Sequence, residues 1–168
     1  MHFCYNETVN TVEQALTPEL LEKFGDQPII GDMSSCILSM PVDVSKYGMI
    51  YAGAQKNAGP AGVTIVIVRD DLLGNPRADC PNMLDWTVFA NTGSLYNTPP
   101  CFGIYKMSLY FDYMKRNGGV EAFYEKSKEK SGAIYAAIDE SNGFYESRVE
   151  KRNRSRMNIL FYLKGGVE

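Results

Sequence analysis

The 168-residue sequence has one histidine, one tryptophan and four cysteines, with no C-x-x-C pair among them. Cys4, Cys36, Cys80 and Cys101 are scattered singly. That spacing speaks against a zinc ribbon, a thioredoxin-like redox motif or a dense disulfide scaffold. Cysteine's preference for burial makes free, buried thiols in a reducing cytosol the expectation. His2 is too isolated to anchor a metal or Cys–His site. The longest aliphatic run, Val63 to Val68 with Thr64 inside it, is far short of the ~20 residues needed to cross a bilayer. The opening MHFCYNETVN lacks the basic-then-apolar order of a signal peptide. No sign of charge dominates: 17 Lys+Arg stand against 20 Asp+Glu, a net charge of −3. A chain so balanced has no basic field for nucleic acid, so neither nucleic acid nor a membrane is an expected partner.

What is present fits a soluble globular chain. Apolar residues make up 45% and charged residues 22%, and the length matches a single domain of ~100–200 residues. Phe3 to Tyr5 reads as the end of a strand that stops at Asn6-Glu7-Thr8. Thr17-Pro18-Glu19 opens a helix, with Thr17 as N-cap and Pro18 at the first helical position. Gly25-Asp26 ends it, and Pro28 to Asp32 reads as a strand running into a loop. Tyr47 to Ala52 is strand-like, GAQKNAGPAG is a glycine-rich break, and VTIVIVRDD is a second strand. Its apolar residues fall on both faces, the pattern of a strand covered from two sides.

Residues 102–117 place Phe102, Tyr105, Leu109 and Tyr113 near helical spacing, ending at Lys115-Arg116 and Gly118-Gly119. Residues 120–140 make a second amphipathic helix, and Phe144-Tyr145 and Met157 to Leu163 read as strands of a different unit. The doubly apolar strand has few earlier elements to cover it, and the last strand stops five residues from the terminus. The chain therefore reads as a piece of a larger fold.

Lys56 lies between Gly53 and Gly59 just after a strand, and Asp32 also follows a strand. Glycines let a backbone approach a ligand closely. A lysine and a carboxylate at neighbouring strand ends suit a flat cationic heterocycle, although a solvated turn lysine is the commoner fate. A P-loop is excluded, because Gly-Ala-Gln-Lys lacks the required spacing.

Asn6-Glu7-Thr8, GDMSSCILS, YAGAQKNAGPAG and SLYNTPPCF, in that order, resemble the phosphoserine aminotransferases among the class-V pyridoxal-phosphate (PLP) enzymes. The resemblance extends over essentially the whole chain. It implies an α/β architecture, part of PLP-dependent transferase fold type I. Residues 1–100 would belong to the PLP-binding large domain, 101–142 to connecting helices and 143–168 to the start of a small α+β domain. It also implies transfer of an amino group between glutamate and 3-phosphohydroxypyruvate in serine biosynthesis. Lys56 would form the Schiff base with PLP and move the proton. Asp32 would pair with the pyridinium nitrogen, Thr8 with the phenolic oxygen and Gln55 with the phosphate. Asn97 and Thr98 would reach the phosphate of the neighbouring subunit's cofactor, in a cytoplasmic homodimer with shared sites. Other class-V members, such as an alanine–glyoxylate aminotransferase or a cysteine desulfurase, are the alternatives, as is a non-catalytic truncated isoform.

Relative to that family the chain lacks a phosphate-cradling loop, a ring-stacking aromatic and a substrate-binding arginine. At ~1.5–3 kcal/mol for each charged hydrogen bond, three losses weaken cofactor binding by at least ~4.5 kcal/mol, on the order of a thousandfold. The 168 residues alone are expected to be inactive. Trp86 is expected to pack in a core or interface. Arg148, Lys151, Arg152, Arg154 and Arg156, with Glu146 and Glu150 nearby, are expected to be a solvated loop between two strands.

Overall fold

The computed structural model describes residues 1–165. In chain order the elements are β1 (His2–Cys4), β2 (Asn6–Glu7), β3 (Val12–Glu13), α1 (Pro18–Phe24), β4 (Ile30–Asp32), β5 (Met49–Gly53) and β6 (Thr64–Val68). They continue with α2 (Trp86–Asn91), α3 (Cys101–Arg116), α4 (Gly119–Asp139), β7 (Tyr145–Glu146) and β8 (Tyr162–Leu163). Strands β1, β4, β5 and β6 form one sheet in that spatial order. The first three are parallel and β6 runs antiparallel to β5. The register sets Cys4 beside Asp32 and Asp32 beside Tyr51, so the carboxyl ends of the parallel strands lie together.

Local signals account for the short helix α1. Thr17 Oγ1 accepts from the backbone N–H of Leu20 at 3.3 Å, Pro18 begins the first turn, and Gly25 ends the helix at φ +56°. The core lies beneath the parallel strands, around Phe3, Ile29, Met33, Cys36, Ile50 and Ala52. Ile50 and Cys36 are each 1% exposed.

The structure adds detail to several expectations and corrects some of them. Strand β6 has no fully buried residue, and Ile67 is 40% exposed. It is an edge strand in this sheet, with Ile65 and the preceding Val63 packed against the core. Within this chain β6 has β5 as its one strand neighbour, and part of its apolar surface is left uncovered. Of the cysteines only Cys36 is buried; Cys4 and Cys101 are exposed and Cys80 is half-buried. On α3, Phe102, Tyr105, Leu109 and Tyr113 are exposed, whereas Gly103, Met107 and Met114 are buried. The helix docks where its residues are small or pliable: a Cβ on Gly103 would stand 2.9 Å from Val63 Cγ2. Trp86 is half-buried and packs beside Phe89, away from the main core.

The strand expected over Met157 to Leu163 shrinks to β8, which pairs with β7. Residues 154–158 are engaged elsewhere. Val12 bridges to Arg154, and Ser155 N donates to Thr11 O at 3.0 Å. The basic cluster divides accordingly. Lys151 and Arg152 have side chains 77% and 80% exposed, whereas those of Arg154 and Arg156 are only 11% and 14% exposed. Arg154 pairs with Asp139, and Arg156 pairs with Glu13 beneath the ring of Tyr124. Such enclosure requires ionic partners, because an unpaired buried charge is costly.

Candidate active site

Lys56 sits in the turn that follows β5. Ala58 N and Gly59 N both donate to Ala54 O, and Ala54 N donates to Val63 O, so the loop closes on itself. Asn57 Nδ2 ties it to Ile37 O at 2.8 Å. A Cβ on Gly59 would lie 2.4 Å from Met107 Cγ. Glycine there is what lets α3 approach the loop. Beside Lys56 an open cleft of about 430 Å³ is lined by Asn57, Gly59, Pro60, Lys106 and Tyr110.

The Lys56 ammonium donates to Thr8 Oγ1 at 2.6 Å, across 48 positions of sequence. Thr8 begins the loop of the β2–β3 hairpin, in which Asn6 opposes Glu13 and Glu7 opposes Val12. Glu7 caps that loop: its carboxylate accepts from Val9 N at 3.1 Å and from Asn10 N. Those backbone donors hold the Glu7 carboxyl below its ordinary pKa. Thr11, β-branched and left-handed at φ +58°, is a conformation that needs outside support. The donation from Ser155 N to its carbonyl is such support.

Asp32 ends β4 on the same side of the sheet. Its Oδ1 accepts from Ser34 N at 2.9 Å, and among the described residues it forms no salt bridge. Burial pushes the Tyr51 hydroxyl up, helped by the Asp32 charge, while His2 Nε2 lies 2.9 Å from that hydroxyl. Cys4 records the whole arrangement. Burial raises its thiol pKa, the carboxylates of Asp32 and Glu7 raise it further, and Lys56 opposes them.

The structure thus gathers Lys56, Thr8 and Asp32 at one end of the sheet. Gln55, exposed, folds its side chain back toward Gly53. Asn97 and Thr98 lie on an exposed loop, where Asn97 Nδ2 donates to Thr98 O at 3.3 Å.

Sequence reasoning overlooked the residues behind Thr8. Asn6 is 3% exposed, and its Nδ2 donates to Ser35 Oγ and to Asn158 Oδ1, each at 2.7 Å. Ser155 Oγ donates to Asn6 Oδ1 at 2.6 Å and accepts from Met157 N and Asn158 N. Ser35 Oγ returns a hydrogen bond to Asn6 O at 2.6 Å. The only advance sign was the polar Asn6 directly after an apolar strand, since its partners lie up to 152 positions away.

The class-V aminotransferase family model matches residues 2–165. The chain is 53% identical over 163 residues to a phosphoserine aminotransferase of Acidithiobacillus ferrooxidans. That match covers 97% of this chain and 44% of the relative. It is 52% identical to phosphoserine aminotransferase 2, chloroplastic, of Arabidopsis thaliana, covering 98% of this chain and 38% of that protein. The chain therefore spans less than half the length of these relatives. The solved phosphoserine aminotransferase of Bacillus circulans subsp. alkalophilus superposes with a TM-score of 0.90 at 44% identity, over 97% of this chain and 44% of that one. An alanine–glyoxylate aminotransferase from Nostoc sp. superposes at 0.74 with 15% identity, a likeness of fold alone. The mixed sheet, the lysine after its central strand and a family match running from the first strand through residue 165 all lead to one assignment: the chain belongs to the class-V aminotransferases.

Proposed function

We propose that the intact protein is a PLP-dependent aminotransferase. It would move an amino group between glutamate and 3-phosphohydroxypyruvate, yielding O-phosphoserine and 2-oxoglutarate for serine biosynthesis. One observation carries the reading: the Lys56 amine lies 2.6 Å from the Thr8 hydroxyl at the strand ends, in a chain 53% identical to a phosphoserine aminotransferase.

The donor set fits PLP. Lys56 is an exposed amine beside an open cleft, and Asp32 keeps a carboxylate oxygen free of any cation among the described residues. Bound there, PLP supplies an aldehyde and a conjugated ring that accepts electron density from the reacting carbon. Lys56 holds the cofactor and carries a proton to and from the substrate α-carbon. The Asp32 carboxylate favours a protonated ring nitrogen, as an opposite charge close by does. The Thr8 hydroxyl serves the ring's phenolic oxygen, and Gln55 serves the phosphate.

Asn97 and Thr98, both exposed, are assigned to a second subunit's cofactor phosphate. That assignment makes the working form a homodimer; the cytoplasm is the compartment we propose for it.

Assay of the full-length protein with glutamate and 3-phosphohydroxypyruvate is the test. Lys56→Ala should lower turnover by about 10²–10⁴-fold or more, the usual worth of a positioned acid–base group. A Lys56→Ala protein that keeps wild-type turnover overturns the reading.

A further inference from the structure

The base of the β2–β3 hairpin is gripped from one stretch of chain, far away in sequence. Asn6 and Glu13 oppose each other across the two strands. Ser155 and Asn158 hold Asn6, and Arg156 holds Glu13 through both its guanidinium and its backbone N–H. Ser155 is fully buried, and Tyr135 on α4 donates to its carbonyl at 2.8 Å. The bonds are therefore shielded from water, where a lost partner strands a polar group. Thr8, two residues beyond Asn6, carries the hydroxyl that meets Lys56.

We propose that Asn6 is a positioning residue. Clamped by Ser155 and Asn158, it sets the hairpin so that the Thr8 hydroxyl stays within hydrogen-bond reach of the Lys56 amine. The segment 154–158 thereby acts on the site without touching it. Tyr5 N, donating to Asp32 O at 3.0 Å, and Ser35, bonded to Asn6, tie only the start of the hairpin to the sheet. The clamp adds the hold on its far side, which so short a hairpin needs because it is marginal alone. The consequence for the cofactor rests on the function proposed above; the consequence for the hairpin does not.

The test uses full-length protein with Ser155→Ala, Asn158→Ala, Thr8→Val and the double variant Ser155→Ala/Thr8→Val. In cofactor-free protein, amide hydrogen exchange of residues 7–12 should quicken about tenfold in Ser155→Ala and Asn158→Ala, while amides of α4 keep the wild-type rate. PLP affinity, read from the visible absorbance of the bound cofactor, should fall about tenfold in Ser155→Ala and about tenfold in Thr8→Val. In the double variant it should fall about tenfold rather than a hundredfold, because both changes remove one interaction. Unaltered exchange at residues 7–12 overturns the proposal, as does a double variant whose losses multiply. If Ser155→Ala does not fold, Asn158→Ala decides by the same exchange measurement. A wild-type protein that binds no PLP overturns the proposed function instead, and exchange still decides the clamp.

Discussion

Residues 1–60 and 61–100 are both rich in apolar side chains, yet they are buried very differently. The first stretch supplies nearly all of the core, from Phe3 to Ala58. The second has no fully buried residue, and Met83, Leu84, Leu95 and Tyr96 are all more than 40% exposed. Composition does not separate MIYAG in β5 from TIVIV in β6. Position does, since β5 lies between two strands and β6 has one neighbour. Apolar pattern therefore reports a capacity for burial, and the neighbours decide how much of it is used. The catalytic candidates follow the same division. Lys56, Thr8 and Asp32 rest on the well-packed stretch, while Asn97 and Thr98 lie on the exposed one.

The strongest test of that contrast is to break the clamp that braces the first stretch. Arg156→Met leaves the largely enclosed Glu13 carboxylate, with a side chain 11% exposed, without its ionic partner, a loss of up to about 3–5 kcal/mol, read as a lower urea midpoint of the full-length protein. A direct comparison follows from one pair of truncations. Ile50→Ala, at 1% exposure, should cost about 2–5 kcal/mol, whereas Ile67→Ala, at 40% exposure, should cost less than about 1 kcal/mol. Equal costs would show that β6 is covered in the intact protein and would dissolve the contrast.

Gly59→Ala probes the seam where α3 meets the Lys56 loop. The added methyl meets Met107 Cγ at 2.4 Å, so a destabilisation of about 1–3 kcal/mol is expected, with PLP affinity falling alongside. The smallest effect is at Asp139, where Arg154 and then Lys151 hold the carboxyl far below its ordinary range. A lowered folded-state pKa gives stability that is complete above the unfolded value of about 3.9 and is lost as pH falls toward the folded value. The urea midpoints of wild type and Asp139→Asn should therefore differ at pH 6 and converge below about pH 4. A gap that stays constant with pH would remove the ionic explanation.

Much of the local structure was legible. Thr17-Pro18 and Gly25 bracketed α1, the strands at β4, β5 and β6 were all found within a few residues, and the ends of α3 and α4 coincided with Gly118-Gly119 and the residues beyond Asp139. The six-residue α2 was missed although its signal was present: Asp85 Oδ1 accepts from Thr87 N at 2.9 Å as an N-cap. The β2–β3 hairpin had no comparable signal, because two residues per strand are too few for periodicity. Sequence alone makes Arg156 a solvated residue because its charge is local information, whereas its partner Glu13 lies 143 positions away.

The sequence by itself determined the longer elements, their caps and the order of Thr8, Asp32 and Lys56 at strand ends, because those depend on neighbours within a few residues. Only the tertiary structure decided which apolar faces are covered, which arginines are enclosed, and that the Thr8 hydroxyl meets the Lys56 amine. Burial and ion pairing are properties of surfaces brought together, and here the surfaces come from segments as many as 152 residues apart.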